Sequence, residues 1–293
     1  MPAARAVHLL RSAFNLEEDS MDYVLPKEFV TKMVDAGEAK VSMSTRDTLT
    51  RAYMAGAILA LAAVFAVMAT MTAESALVGA VLFPVGFCIL YLLGFDLLTG
   101  VFTLAPLAWL DRRAGVTWPR IGRNWALVFV GNFAGALSVA LMMAFVFTYG
   151  FNTDGGAVAS KVASLCEART LGYAKFGVAG WFTIFVRGML CNWMVSTGVV
   201  GAMISTSVSG KTIAMWMPIM IFFFMGFEHS VVNMFLFPFA LLLGGRFSIA
   251  DYVAWNELPT ILGNAVGGIS FVGLTLYSTH LRTAPQRNLV AAR

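Results

Sequence analysis

The chain has 293 residues, of which 59% are hydrophobic and only 12% charged, with a mean hydropathy of +0.77 and a formal net charge of +4. A water-soluble domain of this size has no use for so much apolar side chain, because its surface outgrows what a core can hide. The composition excludes a soluble globular domain, points to a polytopic membrane protein, and gives no reason to invoke nucleic acid.

In chain order, residues 1–51 form a polar tail of mixed charge, too long and too polar for a cleavable signal. Within it, residues 26–39 place an apolar side chain every three or four positions, which predicts a short amphipathic helix at the inner membrane surface. Six apolar windows follow, at roughly 52–71, 76–110, 124–150, 177–206, 212–245 and 258–280. One crossing of about 30 Å of hydrocarbon takes about 20 residues. The second and fifth windows, about 35 and 34 residues long, would each reach about 50 Å as straight helices at about 1.5 Å per residue. Each is read as two half-helices joined by an irregular loop.

The expected organisation is thus a first three-helix repeat at 52–150, an extracytoplasmic loop at 151–176, a second repeat at 177–281 and a cytoplasmic tail at 282–293. Basic residues set the orientation. The tail to Arg51, the 111–123 loop, Lys211, Arg282, Arg287 and Arg293 hold fifteen Lys/Arg, against Lys161, Arg169, Lys175 and Arg246 on the other face. Both termini are therefore expected in the cytoplasm. Cys88 and Cys191 fall in spans and Cys166 in an outer loop, which reads as three packed thiols.

The two halves carry the same punctuation. Gly94-Phe95-Asp96, Pro106, Gly131-Asn132 and Gly135 recur as Gly226-Phe227-Glu228, Pro238, Gly263-Asn264 and Gly267, each offset by 132. Three spans per half is an odd number, so the second half enters the membrane inverted, and the two breaks face one another near mid-membrane. Backbone groups freed there must line a protein-enclosed path, and the N-termini of half-helices suit an anion. The Gly-Asn-x-x-Gly pairs are open to two readings: close helix packing with the Asn bonding across the interface, or a part in lining the pore.

Ionisable groups within a span are functional candidates by default. Here they are Asp96, Arg187, Glu228 and His229. Asp96 and Glu228 read as caps on the second half-helix or local anchors, or as proton-handling groups. Arg187 is a candidate partner for Glu167 or for a subunit surface, or a pore residue that would alter selectivity. His229 differs, because its repeat mate is the apolar Leu97. It is either a packing histidine or a central group that bonds an anion or exchanges a proton with it.

The run Gly226-Phe-Glu-His-Ser-Val-Val-Asn-Met-Phe235 closely resembles the signature of the formate/nitrite transporter family. Gly188-Met-Leu-Cys-Asn-Trp193, Gly94-Phe-Asp-Leu-Leu-Thr-Gly100, Asn124-Trp125 and Gly131-Asn132 fit it too. The resemblance implies an all-α membrane protein with six transmembrane helices in an aquaporin-like inverted 3+3 repeat, the second and fifth helices broken. It further implies a homopentamer in a bacterial-type inner membrane, with one pore per protomer. Small monovalent anions of weak acids would pass: formate, nitrite, and sometimes acetate, lactate or hydrosulfide.

By the same resemblance, His229 matches the central pore histidine and Thr99 the loop threonine that bonds it, while Asn192 and Asn264 match pore asparagines. Phe83 and Phe222 match the outer constriction, and Phe87, Leu97 and Leu98 the inner one. The family's vestibule lysine lies sixteen residues before the asparagine matching Asn192, so its equivalence with Lys175 needs a one-residue insertion. Glu228 precedes the histidine as in the signature. Passage would be proton-linked, with no metal or cofactor. Two alternatives stand beside this reading. A neutral-solute channel lacks the Asn-Pro-Ala motifs of aquaporins, and an intramembrane enzyme built on Glu228-His229 lacks ligands and any hydrolase motif.

Overall fold

The structure is a computed structural model that describes residues 23–283. Expectations resting on residues 1–22 and 284–293, including most of the 282–293 tail, lie outside the described residues. Helices α1 (Pro26–Ser42), α2 (Thr45–Thr72), α3 (Ala76–Leu92), α4 (Leu98–Leu110) and α5 (Trp118–Phe147) make the first half. Helices α6 (Gly156–Arg169) and α7 (Leu171–Ala174) connect it to α8 (Val178–Ile204), α9 (Val208–Phe224), α10 (Ser230–Leu242) and α11 (Ile249–Arg282). Among the described residues the sole extended pairing is an isolated bridge between Tyr23 and Ser205.

Helices α2, α5, α8 and α11 are 28, 30, 27 and 34 residues long and strongly apolar. At about 1.5 Å per residue each exceeds the hydrocarbon thickness of a bilayer. Their outward faces, with that of α9, carry exposed Phe65, Val130, Met142, Phe145, Ile213 and Met217, the surface expected of helices solvated by lipid. Between α3 and α4, and between α9 and α10, the chain leaves the helix over residues 93–97 and 225–229.

The reason for the exits is local. Gly94 and Gly226 have φ of 74° and 63°, a left-handed geometry that costs glycine nothing. Phe95 N–H then bonds Leu90 O at 2.9 Å and Phe227 N–H bonds Phe222 O at 3.0 Å. This is the Schellman pattern that ends a helix. Pro106 and Pro238 lie inside the helices that follow.

Close packing joins α2 to α5 and α8 to α11. A methyl group on Gly135 would collide with the Tyr53 carbonyl, and one on Gly267 with the Met189 carbonyl. In α11 the backbone widens into π-helical turns at Val253–Glu257, Gly267–Leu274 and Ser278–Arg282.

The amphipathic stretch predicted at 26–39 is α1, three residues longer. Phe29, Val30, Met33, Val34, Gly37 and Val41 form its buried face. It packs on Leu104 and Leu107 of α4, Val200 of α8 and Val272 of α11. Val30, Met33 and Val34 are fully buried, and each contributes about 1.5–3 kcal/mol of apolar burial. The helix is therefore docked onto the bundle and does not merely lie at a membrane surface.

Candidate functional site

The two loops that interrupt the helices are tied down in the same way. Asn132 Oδ1 accepts Leu98 N–H at 2.9 Å, while its Nδ2 donates to Ala52 O at 2.8 Å and Asp96 O at 2.9 Å. Asn264 Oδ1 accepts Ser230 N–H at 3.0 Å, and its Nδ2 donates to Gly188 O at 2.8 Å and Glu228 O at 2.9 Å. Both amides are fully buried and use Oδ1 and both N–H groups. Asn264 thus faces loop backbone, and it lines neither of the cavities described below.

The second loop delivers His229 as the N-cap of α10. Its Nδ1 lies 3.3 Å from Val232 N–H. A backbone N–H only donates, so Nδ1 offers its lone pair and the neutral ring carries its proton on Nε2. Nε2 lies 3.3 Å from Thr99 Oγ1, contributed by the other half of the chain. The Thr99 carbonyl accepts from Asn192 Nδ2 at 3.1 Å and Thr103 Oγ1 at 3.3 Å. Asn192 Nδ2 also donates to Asn264 O at 2.7 Å, and its Oδ1 accepts from Ser196 Oγ at 3.1 Å. Thr103 and Ser196 hydroxyls lie 2.6 Å apart. Gly268, in the second π-helical stretch of α11, leaves space for this polar group, which a Cβ there would crowd.

Aromatic rings enclose the imidazole. The Phe87 ring meets it edge-on at 5.4 Å and the Phe222 ring stacks on it at 5.8 Å. Phe83 contacts both at 5.7 and 5.9 Å and stacks on Phe223 at 4.0 Å. Phe83, Phe87, Phe222 and Leu98 are all buried to 1% exposure or less.

Two cavities approach this point from opposite sides. One, of about 230 Å³, lies beside α6 and is lined by Lys161, Arg169, Phe222, Phe223 and His229. The other, of about 140 Å³, lies beside α1 and is lined by Lys40, Asp96, Phe87, Leu97 and Thr99. His229 belongs to the first and Thr99 to the second, so their 3.3 Å contact is part of the wall between them. Phe83 and Leu98 line neither and brace the rings and loop from behind. Lys175 is exposed, its Nζ 5.0 Å from the Phe176 ring centroid, and lines neither cavity.

The buried carboxylates do not cap helices, contrary to the capping reading of the sequence. Each stands at least one residue before its helix and turns to a cation. Asp96, 1% exposed at its side chain, is ion-paired with Lys40 of α1. Glu228, fully buried, has its Oε1 3.3 Å from Arg169 Nε and 3.9 Å from Arg187 Nε. These contacts are charge to charge, since Oε1 accepts no aligned hydrogen bond. Its Oε2 accepts from Asn233 Nδ2 at 2.9 Å and Asn256 Nδ2 at 3.3 Å.

Arg187 donates to the Gly226 carbonyl, and Glu167, its expected partner, instead accepts the Arg246 N–H at 2.8 Å. Sequence reasoning missed Lys40, Lys161 and Arg169 as site residues. The signal that could have raised the question was that each buried carboxylate needs a cation, though nothing local said which.

A family model described as formate/nitrite transporter matches residues 27–278. A probable formate transporter of Methanothermobacter thermautotrophicus is 36% identical over 213 residues, covering 70% of this chain and 76% of its own. The structure superposes on a solved FNT family ion channel with a TM-score of 0.73 at 24% identity, covering 86% of this chain and 99% of that one. It also superposes on a pentameric formate channel with formate bound, with a TM-score of 0.66 at 23% identity and coverage of 80% and 96%. The helical fold is that of these channels.

Proposed function

The chain belongs to the formate/nitrite transporter family, and we propose that it is a proton-linked channel for small monovalent anions of weak acids, formate foremost, with nitrite or hydrosulfide as related permeants. Its relatives are membrane channels and transporters, not enzymes. In this reading the bundle crosses the membrane six times as an inverted 3+3 repeat, 52–150 and 177–281. The broken second and fifth crossings are α3 with α4 and α9 with α10. Both termini are cytoplasmic in a bacterial-type inner membrane, so the α1-side cavity is the inner vestibule and the α6-side cavity the outer one. The protomers assemble as a homopentamer, the pentameric state being that of the solved formate channel on which the chain superposes.

The observation that carries the proposal is the Thr99–His229 contact in the wall between two cavities, held by ties from both halves of the chain. Lys161 and Arg169, with Lys175 on the approach, draw an anion into the outer vestibule. Beyond it the path narrows between Phe222 and Phe87, backed by Phe83, with Leu97 on the inner side, backed by Leu98. A bare anion there faces a large desolvation cost. The His229 Nε2–H and the Thr99 hydroxyl donate to the permeant's oxygen at this point. A carboxylic acid with a pKa of about 4 is only about a thousandth protonated at pH 7, so a path that lets the permeant take up a proton, or exchange one at the imidazole, gains greatly. Asn192, Asn264 and Glu228 hold the two loops in register around it.

The test is radiolabelled formate uptake into proteoliposomes at two external pH values, with wild type and His229→Phe. Uptake that rises at acidic external pH and collapses in the variant is expected. Equal flux through both proteins would sink the histidine mechanism and leave the fold standing.

A further inference from the structure

Arg187 has no part in the pathway just described, yet it is an ionisable group inside an apolar helix, where such groups are expensive. Its terminal nitrogen holds the carbonyl of Gly226, the residue that turns the chain out of α9. Its Nε lies 3.9 Å from Glu228 Oε1, and its guanidinium 6.0 Å from the Tyr173 ring. It lines neither vestibule. Arg169 lines the outer one and reaches the same Glu228 oxygen at 3.3 Å.

Two guanidinium groups thus share one carboxylate. The neighbouring acids are engaged elsewhere. Glu257 takes the Tyr252 hydroxyl at 2.9 Å and faces an apolar crevice beside α5 and α10, and Glu167 takes the Arg246 N–H. The matching site in the first half holds Asp96 with Lys40, one charge of each sign. The outer site therefore has one cation in excess, besides Lys161, and a guanidinium keeps its charge at every physiological pH.

We propose that Arg187 is a positioning residue for anion selection: as the second guanidinium on Glu228 it offsets that carboxylate from behind the vestibule wall, so that the Arg169–Glu228 pair at the vestibule keeps a net positive charge that attracts anions. The inference rests on the weak-acid reading and on the outer vestibule as the anion's entrance. One unit charge about 10 Å from the permeant, at an effective dielectric constant of about 20–40, changes its local concentration roughly fourfold to fifteenfold.

The experiment is the initial rate of formate uptake into proteoliposomes against external formate, at low and high salt, for wild type, Arg187→Met and Arg187→Lys. In Arg187→Met the KM rises roughly fivefold with little change in maximal rate, and the gap narrows at high salt. Arg187→Lys keeps the charge, loses the fork geometry, and stays close to wild type. An unchanged KM in Arg187→Met overturns the inference. So does an equal fall of maximal rate in both variants, which assigns Arg187 only to holding Gly226. A wild type that takes up no formate refutes the formate reading instead, and the same KM comparison with nitrite then decides on Arg187.

Discussion

Replacing Asn264 by alanine removes three hydrogen bonds from a place that water does not reach. The Ser230 N–H, at the start of α10, loses its acceptor, and the Glu228 carbonyl, in the loop, loses a donor. The Gly188 carbonyl lies within α8 and keeps its helical lone-pair use, so its loss costs less. Two fully orphaned buried groups at about 1–3 kcal/mol each, with a smaller term for the third, give about 3–5 kcal/mol of destabilisation. At about 2–4 °C per kcal/mol for a chain of this size, the apparent melting temperature falls by roughly 6–20 °C.

Asn132→Ala severs the matching bonds to Leu98, Asp96 and Ala52, so it should fall by a similar amount. Asn152, an exposed side chain bonded to the Tyr149 carbonyl at 2.7 Å, serves as the control, and its alanine variant should melt within about 2 °C of wild type. The assay is thermal unfolding in detergent followed by size-exclusion recovery. If Asn264→Ala melts with the control, or if the two repeat mates differ severalfold, then the amides do not hold the loops as described.

Two further outcomes follow from the charges and thiols. Lys40→Met leaves Asp96 unpaired in the α1-side cavity and, since Lys40 is 21% exposed at its side chain, should cost about 2–3 kcal/mol in the same assay; adding Asp96→Leu should restore most of it, and a single variant as stable as wild type would refute the pairing. Cys166 in the connecting helix α6 is fully buried, and burial pushes its thiol well above the ordinary range, so at pH 8 it should stay unmodified by a maleimide in the folded protein and react promptly once unfolded in SDS, whereas labelling at equal rates in both states would contradict its packing.

Much of the frame was legible because membrane proteins write their constraints in long uniform runs. Hydropathy marked the apolar helices, and the 132-residue offset paired Asp96 with Glu228 and Asn132 with Asn264, whose bonds indeed correspond. His229 stood out because its mate is Leu97. The cations did not stand out. Lys40 sits 56 residues before Asp96, in the separate helix α1, and Arg169 ends a connecting helix, so no local spacing ties either one to its carboxylate. The vestibule lysine was sought by spacing from Asn192, which led to Lys175. Of the basic residues on that side, Lys161 and Arg169 line the α6-side cavity and Lys175 does not, because the turns of α6 and α7 decide which side chain faces inward. The capping role given to the carboxylates failed for a related reason: sequence shows a position relative to a helix start, not the direction in which a side chain turns.

The docking of α1 has a mechanical consequence. Ala36 and Lys40 line the α1-side cavity, and Gly37 lies so close to the Leu104 carbonyl that no side chain fits between them. The lid over that cavity and the counter-ion of Asp96 are therefore one rigid body. Lifting α1 would widen the mouth and, in the same movement, leave a bare negative charge facing it. The wider opening would be the less hospitable one to anions. Size and charge at this mouth are geared to a single lever and cannot be set independently.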